Sequence, residues 1–167
     1  MRERNRQGWL RVGVPLAGAL LVASAHAEDR KVRSDIPYHV YGHAAATLQG
    51  KIHLLGGCHT DDWQKPSATH QAYDPIIDKW ETKADLPLAS AWGMPAVHNE
   101  KIYLFGGGCY KPGQGMTSTD GAWVYDLAAD KWSGIRKLPE PRMNGFAARG
   151  GRVHLYCSWL QPAGRRG

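Results

Sequence analysis

His59, Asp61, Asp62 and Trp63 stand in one stretch of chain, flanked by Cys58 and Lys65. Carboxylates hydrogen-bond hydroxyl groups and an indole stacks on an apolar ring face, so the mixture suits recognition of a sugar. Trp92, Tyr110, Arg142 and Asn144 extend the same chemistry along the chain. His59, Asp61, Asp62, Glu140 and Arg142 are also groups able to exchange a proton with a substrate, but no nucleophile stands with its base inside one motif.

Neither a metal nor a cofactor is expected. Zinc sites show paired ligands two to four residues apart, twice over, and Cys58-His59 with the more distant His53 or His43 does not make that spacing. Gly106-Gly107-Gly108-Cys109-Tyr110-Lys111 is rich in glycine but lacks the Lys-Ser/Thr step of a phosphate loop. Ser118-Thr119-Asp120-Gly121-Ala122-Trp123 has Asp and Gly adjacent, which is the wrong spacing for the aspartate box of sialidases.

The elements that must position these groups repeat. Lys51-Ile52-His53-Leu54-Leu55-Gly56-Gly57 recurs as Lys101-Ile102-Tyr103-Leu104-Phe105-Gly106-Gly107, and Tyr73-Asp74-Pro75-Ile76-Ile77-Asp78-Lys79-Trp80 as Tyr125-Asp126-Leu127-Ala128-Ala129-Asp130-Lys131-Trp132. Leu86-Pro87 recurs as Leu138-Pro139, and a third copy opens with Gly151-Arg152-Val153-His154-Leu155-Tyr156 before Cys157-Ser158 replaces the glycine doublet. Each unit reads as four short strands: His43–Leu48, Lys51–Leu55, a third near Thr69–Tyr73, and Lys79–Lys83. Gln49-Gly50 makes a tight hairpin between the first two, and Asp74–Asp78 the turn before the fourth. Glycine doublets let a backbone take positive φ and approach a neighbour closely. Tyr73 with Trp80, and Tyr125 with Trp132, are spaced to pack one sheet against the next. His53, matched by Tyr103 and His154, is read as packing on a strand.

A tandem of about 50 residues with a glycine doublet after an apolar strand, then Tyr-Asp, then Trp, resembles the kelch repeat, whose fold is the β-propeller. The resemblance covers His43 to Tyr156. It implies an all-β protein of kelch-type four-stranded blades, incomplete, with two blades plus the start of a third. In such a blade the loop from second to third strand and the link to the next blade emerge on one face. That face would carry His59, Asp61, Asp62, Trp63, Trp92, Tyr110, Arg142 and Asn144, with solvated capping loops as the alternative. The structural repeat positions are Gly56, Gly57, Tyr73, Trp80, Gly106, Gly107, Tyr125 and Trp132. Cys58, Cys109 and Cys157 follow the repeat onto neighbouring blades, where equivalent points tend to lie further apart than a disulfide spans, so free or strained thiols are expected, with one bridge and one free thiol as the alternative.

Composition agrees with the all-β reading: 20 Gly and 10 Pro punctuate a chain of 167 residues that also holds 7 Trp and 7 Tyr. The net charge of +6 is partly terminal. Arg2, Arg4, Arg6 and Arg11, an apolar run from Val12 to Ala25, and Ala25-His26-Ala27 have the layout of a secretory signal peptide, with a membrane anchor as the alternative. Without residues 1–27 the net charge is +3 and its positive residues are dispersed, so no nucleic-acid partner is expected. After cleavage no membrane contact is expected either, and the mature chain would be periplasmic or extracellular.

The expected organisation is therefore a signal peptide at 1–27, a lead-in at 28–42, kelch repeats at 43–91 and 92–141, and a partial third repeat with a divergent tail at 142–167. Propellers protect strand edges by closing a ring of about four to eight blades. The chain is accordingly expected to be a fragment of a longer propeller that self-associates through open edges. Its expected function is that of a secreted module binding a glycan or a protein through its blade loops. The alternative is a periplasmic enzyme like the kelch-type sialic acid mutarotases (N-acetylneuraminate epimerases). Galactose oxidase also contains kelch-like blades, but its copper ligands find no match here.

Overall fold

The computed structural model describes residues 32–38, 40–59, 62–150 and 152–156, excluding the side chains of 63, 149–150 and 152–156. The signal-peptide segment 1–27, Asp61, Cys157 and the divergent tail lie outside the described residues, as does the side chain of Trp63. Short β-branched, aromatic and alanine-rich runs broken by turns give 15 strands among the described residues. The described residues are all-β, as expected, and their architecture is two four-stranded antiparallel blades followed by a hairpin.

In the first blade β2 (Ala44–Leu48), β3 (Lys51–Leu55), β6 (His70–Asp74) and β7 (Lys79–Lys83) lie in that order. The second repeats it with β8 (Met94–His98), β9 (Lys101–Phe105), β12 (Ala122–Asp126) and β13 (Lys131–Gly134). The hairpin is β14 (Phe146–Gly150) with β15 (Arg152–Tyr156). The second and fourth strands of the first blade fall where the repeat puts them. The first and third are displaced by one residue, because His43 precedes the β2–β3 ladder and Asp74 still pairs with Lys79.

One expectation is corrected. The stretches 58–65 and 109–114, read as loops, are largely extended ribbons. Cys58–His59 (β4) pairs with both Val40–Tyr41 (β1) and Asp62–Pro66 (β5), and Gly108–Lys111 (β10) pairs with Gly115–Ser118 (β11). Neither stretch shows the alternating hydrophobicity that marks a strand, because apart from buried Cys58 and Gly108 the ribbons' described residues are half-buried or exposed.

The strand period of two sorts side chains onto the blade faces. Ala44, Leu48, Leu55 and Leu86 meet Ile102, Leu104, Tyr125 and Trp132 in the core between the two blades. On the far face of the second blade Met94, Ala96, Phe105, Ala122 and Leu138 form another core, against which Ala147 of β14 packs. His53 is fully buried on β3, as the repeat suggested, where His53, Leu54 and Leu55 are covered in succession because both faces of a central strand are packed.

The repeated Tyr, Asp and Trp act as a unit. At the second blade, the Tyr125 hydroxyl donates to Asp130 Oδ1 at 2.6 Å, and that oxygen also accepts the Ala84 N–H at 3.0 Å. Trp132 Nε1 donates to the carbonyl of the same Ala84 at 3.0 Å. Ala84 directly follows the last strand of the first blade, so one outer hairpin grips both polar groups of the preceding blade's exit. The first blade holds its own lead-in in the same pattern: Tyr73 donates to Asp78 at 2.5 Å, Asp78 accepts the Ser34 N–H at 2.9 Å, and Trp80 Nε1 donates to the Ser34 carbonyl at 3.3 Å. Asp78 and Asp130 reach back because both adopt left-handed backbone, with φ of 55° and 46°, at the end of turns that Asp74 and Asp126 open by accepting N–H groups two residues on. The rings of each Tyr-Trp pair lie 4.9 and 5.1 Å apart. The packing role expected for these aromatics is thus a hydrogen-bonded latch as well as an apolar contact.

Each glycine doublet ties its blade to the departing link. Gly57 N–H donates to the Ser90 carbonyl at 2.9 Å and Gly107 N–H to that of Arg142 at 2.8 Å. Gly56 and Gly106 sit at φ of 62° and 60°, and a Cβ on either would run into those same carbonyl oxygens. Cys58 and Cys109 are free thiols, as expected.

Asp130→Ala is expected to lower stability by about 2–3 kcal/mol, because it orphans the buried Tyr125 hydroxyl and the Ala84 N–H together. Asp130→Asn, which keeps an acceptor and tolerates left-handed backbone, should lose less than half of that in denaturant melts. Asn99 and Glu100 form the β8–β9 turn at φ of 47° and 56°, where the first blade has Gln49-Gly50. Glu100→Gly should therefore raise the unfolding free energy by about 1 kcal/mol, read as a higher denaturation midpoint at unchanged slope.

Candidate functional site

The ribbons and the blade-to-blade links build one end of the molecule. The links into the first and second blades pair with those blades' ribbons: Tyr41 lies opposite Cys58, and Ala91 opposite Gly108 with bonds of 2.9 and 2.6 Å. Arg142, in the next link, pairs with Thr119 at the end of the second ribbon. The ribbon strands β5 and β10 are neighbours, so the two ribbons stand side by side.

Within the links, Gly42, Trp92 and Asn144 occupy one repeat position, two residues before β2, β8 and β14. All three are left-handed, at φ of 65°, 54° and 59°. They form a chain in which Trp92 N–H donates to the Gly42 carbonyl at 2.6 Å and Asn144 N–H to the Trp92 carbonyl at 3.1 Å. Glycine and asparagine take this backbone readily; a tryptophan takes it at a cost of about 1–2 kcal/mol. Its indole lies over Gly42, where a Cβ would come within 2.7 Å of Nε1, and meets the Tyr41 ring edge-on with centroids 6.1 Å apart at 64°. Tyr41 is 38% exposed and Trp92 is half-buried, so the pair forms an accessible aromatic corner.

His59 and Asp62 flank this corner. They pair with each other across β4 and β5, and His59 lies opposite Val40, beside Tyr41. Asp62 accepts the Gln64 N–H at 2.9 Å and faces Lys65 Nζ at 3.1 Å. Lys65 foremost, then the Gln64 N–H, holds its carboxyl below the usual carboxylate range. Burial, and then the nearby Asp62 charge, push the Cys58 thiol up. Desolvation, reinforced by Cys58 and Asp62, raises the Tyr41 hydroxyl. These mutual influences put Tyr41, Cys58 and Asp62 in one neighbourhood.

The other sequence candidates stand on the second ribbon and its link. Tyr110 is half-buried opposite Met116. Arg142 turns to Glu140 of its own link, Nη2 to Oε2 at 2.5 Å. Asn144 joins Trp92 through the backbone. Met116 and Met143 pack their sulfur atoms around Gly108, each about 3 Å from where its Cβ would be. The structure thus brings His59, Asp62, Trp92 and Asn144 to one corner, with Tyr110 and Arg142 on the adjoining ribbon and link. Sequence reasoning missed Tyr41, Met116 and Met143. Tyr41 was findable, since aligning the links makes it the residue before the left-handed position. Among the described residues no group of three His, Cys, Asp or Glu side chains converges as metal ligands would, and no helix is long and apolar enough to cross a membrane.

Comparison with known proteins gives the repeat its name. Residues 95–139 match the family model described as the Kelch motif. Kelch-like protein 15 of Danio rerio is 31% identical over 120 residues, covering 62% of this chain and 19% of its own length. Beta-scruin of Limulus polyphemus is 32% identical over 108 residues, covering 60% and 11%, and Kelch-like protein terF of Aspergillus terreus is 34% identical over 108 residues, covering 64% and 24%. The chain therefore spans a quarter or less of these relatives. The solved structure of YjhT superposes with a TM-score of 0.64 over 75% of this chain and 47% of that one, at 15% identity, a likeness of fold. With two blades, each latched through Tyr, Asp and Trp and closed by a glycine doublet, the chain carries kelch repeats, and its described residues fold as β-propeller blades.

Proposed function

We propose that the ribbon end of this chain is a recognition surface, and that the Tyr41–Trp92 corner is its anchor for a glycan or a protein ligand. The observation that carries this reading is Trp92 itself. A half-exposed indole is held in left-handed backbone at a position where the neighbouring repeats place glycine and asparagine. Strain of that kind persists where the surroundings over-determine it, and it concentrates at binding sites. An edge-on aromatic pair offers one ring face for stacking, while His59 and Asp62 beside it offer hydrogen bonds to hydroxyl or amide groups.

The same reading takes residues 1–27 as a secretory signal and the mature chain as periplasmic or extracellular. It also takes the open blade faces as surfaces for further blades, from a longer polypeptide or from other copies. Ile52 is 39% exposed on the first blade and Phe146 54% exposed on β14. Apolar groups of this kind are covered inside a closed ring.

Titration of the protein with a panel of neutral and acidic saccharides, followed by tryptophan emission, tests the site. A saccharide ligand should quench emission saturably, and Trp92→Gly should weaken binding by at least tenfold while leaving the melt within about 1 kcal/mol of the parent, since relief of the left-handed strain offsets lost packing. If no saccharide responds, the protein-ligand branch stands, and a partner's binding must show the same sensitivity to Trp92→Gly and Tyr41→Ala. Unchanged binding of every ligand in both variants would remove the corner from the site. Anomer exchange faster than in buffer alone would replace the binding module with the sugar mutarotase reading.

A further inference from the structure

Between the two blades lies a polar group that the repeat does not call for. His53 on β3 and His70 on β6 are both fully buried, with His53 Nδ1 and His70 Nε2 2.8 Å apart. The corresponding positions of the second blade hold Tyr103 and Ala122. The pair faces the second blade: the His70 ring lies 4.6 Å from that of Tyr125 and 5.7 Å from that of Trp132, and His53 lies 6.1 Å from Tyr125. Around it the junction is apolar, with Leu48, Leu55, Ile102 and Leu104.

The partners fix where the protons are. His70 Nδ1 lies 3.3 Å from the Ala84 carbonyl, which can only accept, so Nδ1 carries the hydrogen and Nε2 is the acceptor. His53 must then donate through Nδ1, which leaves its Nε2 lone pair as the single basic nitrogen of the pair without a hydrogen-bond partner, and that atom is buried. The neutral pair is therefore satisfied at three of its four nitrogens. The Ala84 carbonyl at the end of this relay is the one Trp132 grips in the interblade latch.

We propose that the His53–His70 pair is an acid-sensitive catch on the junction between the two blades: a proton taken from solvent onto His53 Nε2 creates a buried imidazolium with no acceptor and opens the junction, releasing the Tyr125–Trp132 hairpin from Ala84. The charged groups around the pair do not rescue such a cation. Lys51 of β3 and Lys83 of β7 repel it. Glu81 of β7 attracts it but is already shared between Lys51 at 3.3 Å and Lys83 at 2.9 Å. From the second blade, Asp130 faces His70 and is committed to the Ala84 N–H and to Tyr125, whose own hydroxyl burial pushes far up. An unpaired buried charge of this sort is strongly unfavourable, and the fold avoids it by keeping the rings neutral or by opening.

The sign of the pH dependence follows. Burial foremost, then Lys83 and Lys51, lowers His53 to about 4, with Glu81 opposing. Burial foremost, then His53, lowers His70 to about 4, with the Ala84 carbonyl and Asp130 opposing and Lys83 assisting. An exposed imidazole titrates near 6.5. The opened state thus binds more protons than the closed one between these values. The catch is fully closed above about pH 6.5 and loses stability as pH falls toward about 4. Each ring multiplies the opening constant by roughly 30 between pH 7.5 and pH 5.0.

The test is denaturant unfolding of the full chain at pH 7.5, 6.5, 5.5 and 5.0, in the parent and in a variant carrying the second blade's residues, His53→Tyr with His70→Ala. The parent's unfolding constant should rise by roughly 10²- to 10³-fold across the series, and the variant's by less than tenfold. Equal pH dependence in the two proteins, or a flat parent, overturns the proposal. Long-range proton–nitrogen spectra of the parent's imidazoles supply a readout that does not depend on the variant folding. Two rings should remain neutral at pH 5.5, both as the Nδ1–H tautomer. Reversible protonation of both rings near pH 6.5, with the folded spectrum retained, would overturn it as well.

Discussion

The fold rests on how one blade holds the backbone that leaves the previous one. Ala84 and Ser34 each present an N–H and a carbonyl that no strand ladder satisfies, and Ser34 adds a hydroxyl that donates to the Asp78 carbonyl at 2.8 Å. The next hairpin supplies an aspartate for the first and an indole for the second, and a tyrosine hydroxyl locks the aspartate. Half-buried Ala84 needs partners for both of its backbone groups, and they come from the neighbouring repeat; exposed Ser34 is held in the same pattern by the first blade. This makes the interblade contact directional, which apolar packing alone would not. The Ile102, Leu104 and Leu55 core buries apolar surface between the blades; the latch sets the register in which the two sheets meet.

The opposite, ribbon end is organised by the glycine doublets and the left-handed link residues. Gly57 and Gly107 bind the outgoing link, and Gly42, Trp92 and Asn144 run from blade to blade by backbone hydrogen bonds. The scaffold therefore fixes the backbone of this face rigidly while leaving its side chains free to differ between repeats. Gly42 and Asn144 use that freedom to relax the turn. Trp92 does not, and with Tyr41 it gives the face an aromatic corner beside His59 and Asp62. The strained residue and the recognition surface coincide, a concentration of cost and specificity at one place.

Much of this was legible in the sequence because the repeat is written in residues with one physical use. Lys51–Leu55 and Lys79–Lys83 were placed to the residue, since Gln49-Gly50 and Asp74–Asp78 are turns whose chemistry fixes where strands begin. Tyr73, Trp80, Tyr125 and Trp132 were recognised as interblade groups, but Asp78 and Asp130 were read only as turn residues, because nothing in their spacing reveals that a left-handed backbone points them at the preceding blade. The ribbons at 58–66 and 108–118 escaped detection because they bury few residues, Cys58 and Gly108, and so carry no apolar–polar alternation. Tyr41 was overlooked because its partner Trp92 is 51 positions away in sequence and meets it only once two blades stack. The His53–His70 pair was invisible for the same reason: a histidine on an apolar strand reads as core, and only the register of β3 with β6 sets the two rings 2.8 Å apart.

The central claim, that the latch on the exit residue joins the blades, is most directly measured by native-state hydrogen exchange of the Ala84 amide. Ala84 lies just beyond the last strand of its blade, where a solvated connection would exchange within a small free energy of opening. The account predicts that its amide exchanges only with an opening free energy close to that of the interblade strands β9 and β12. Exchange at the rate of an exposed loop amide, while β9 and β12 remain protected, would show that Asp130 and Trp132 do not hold the blades together.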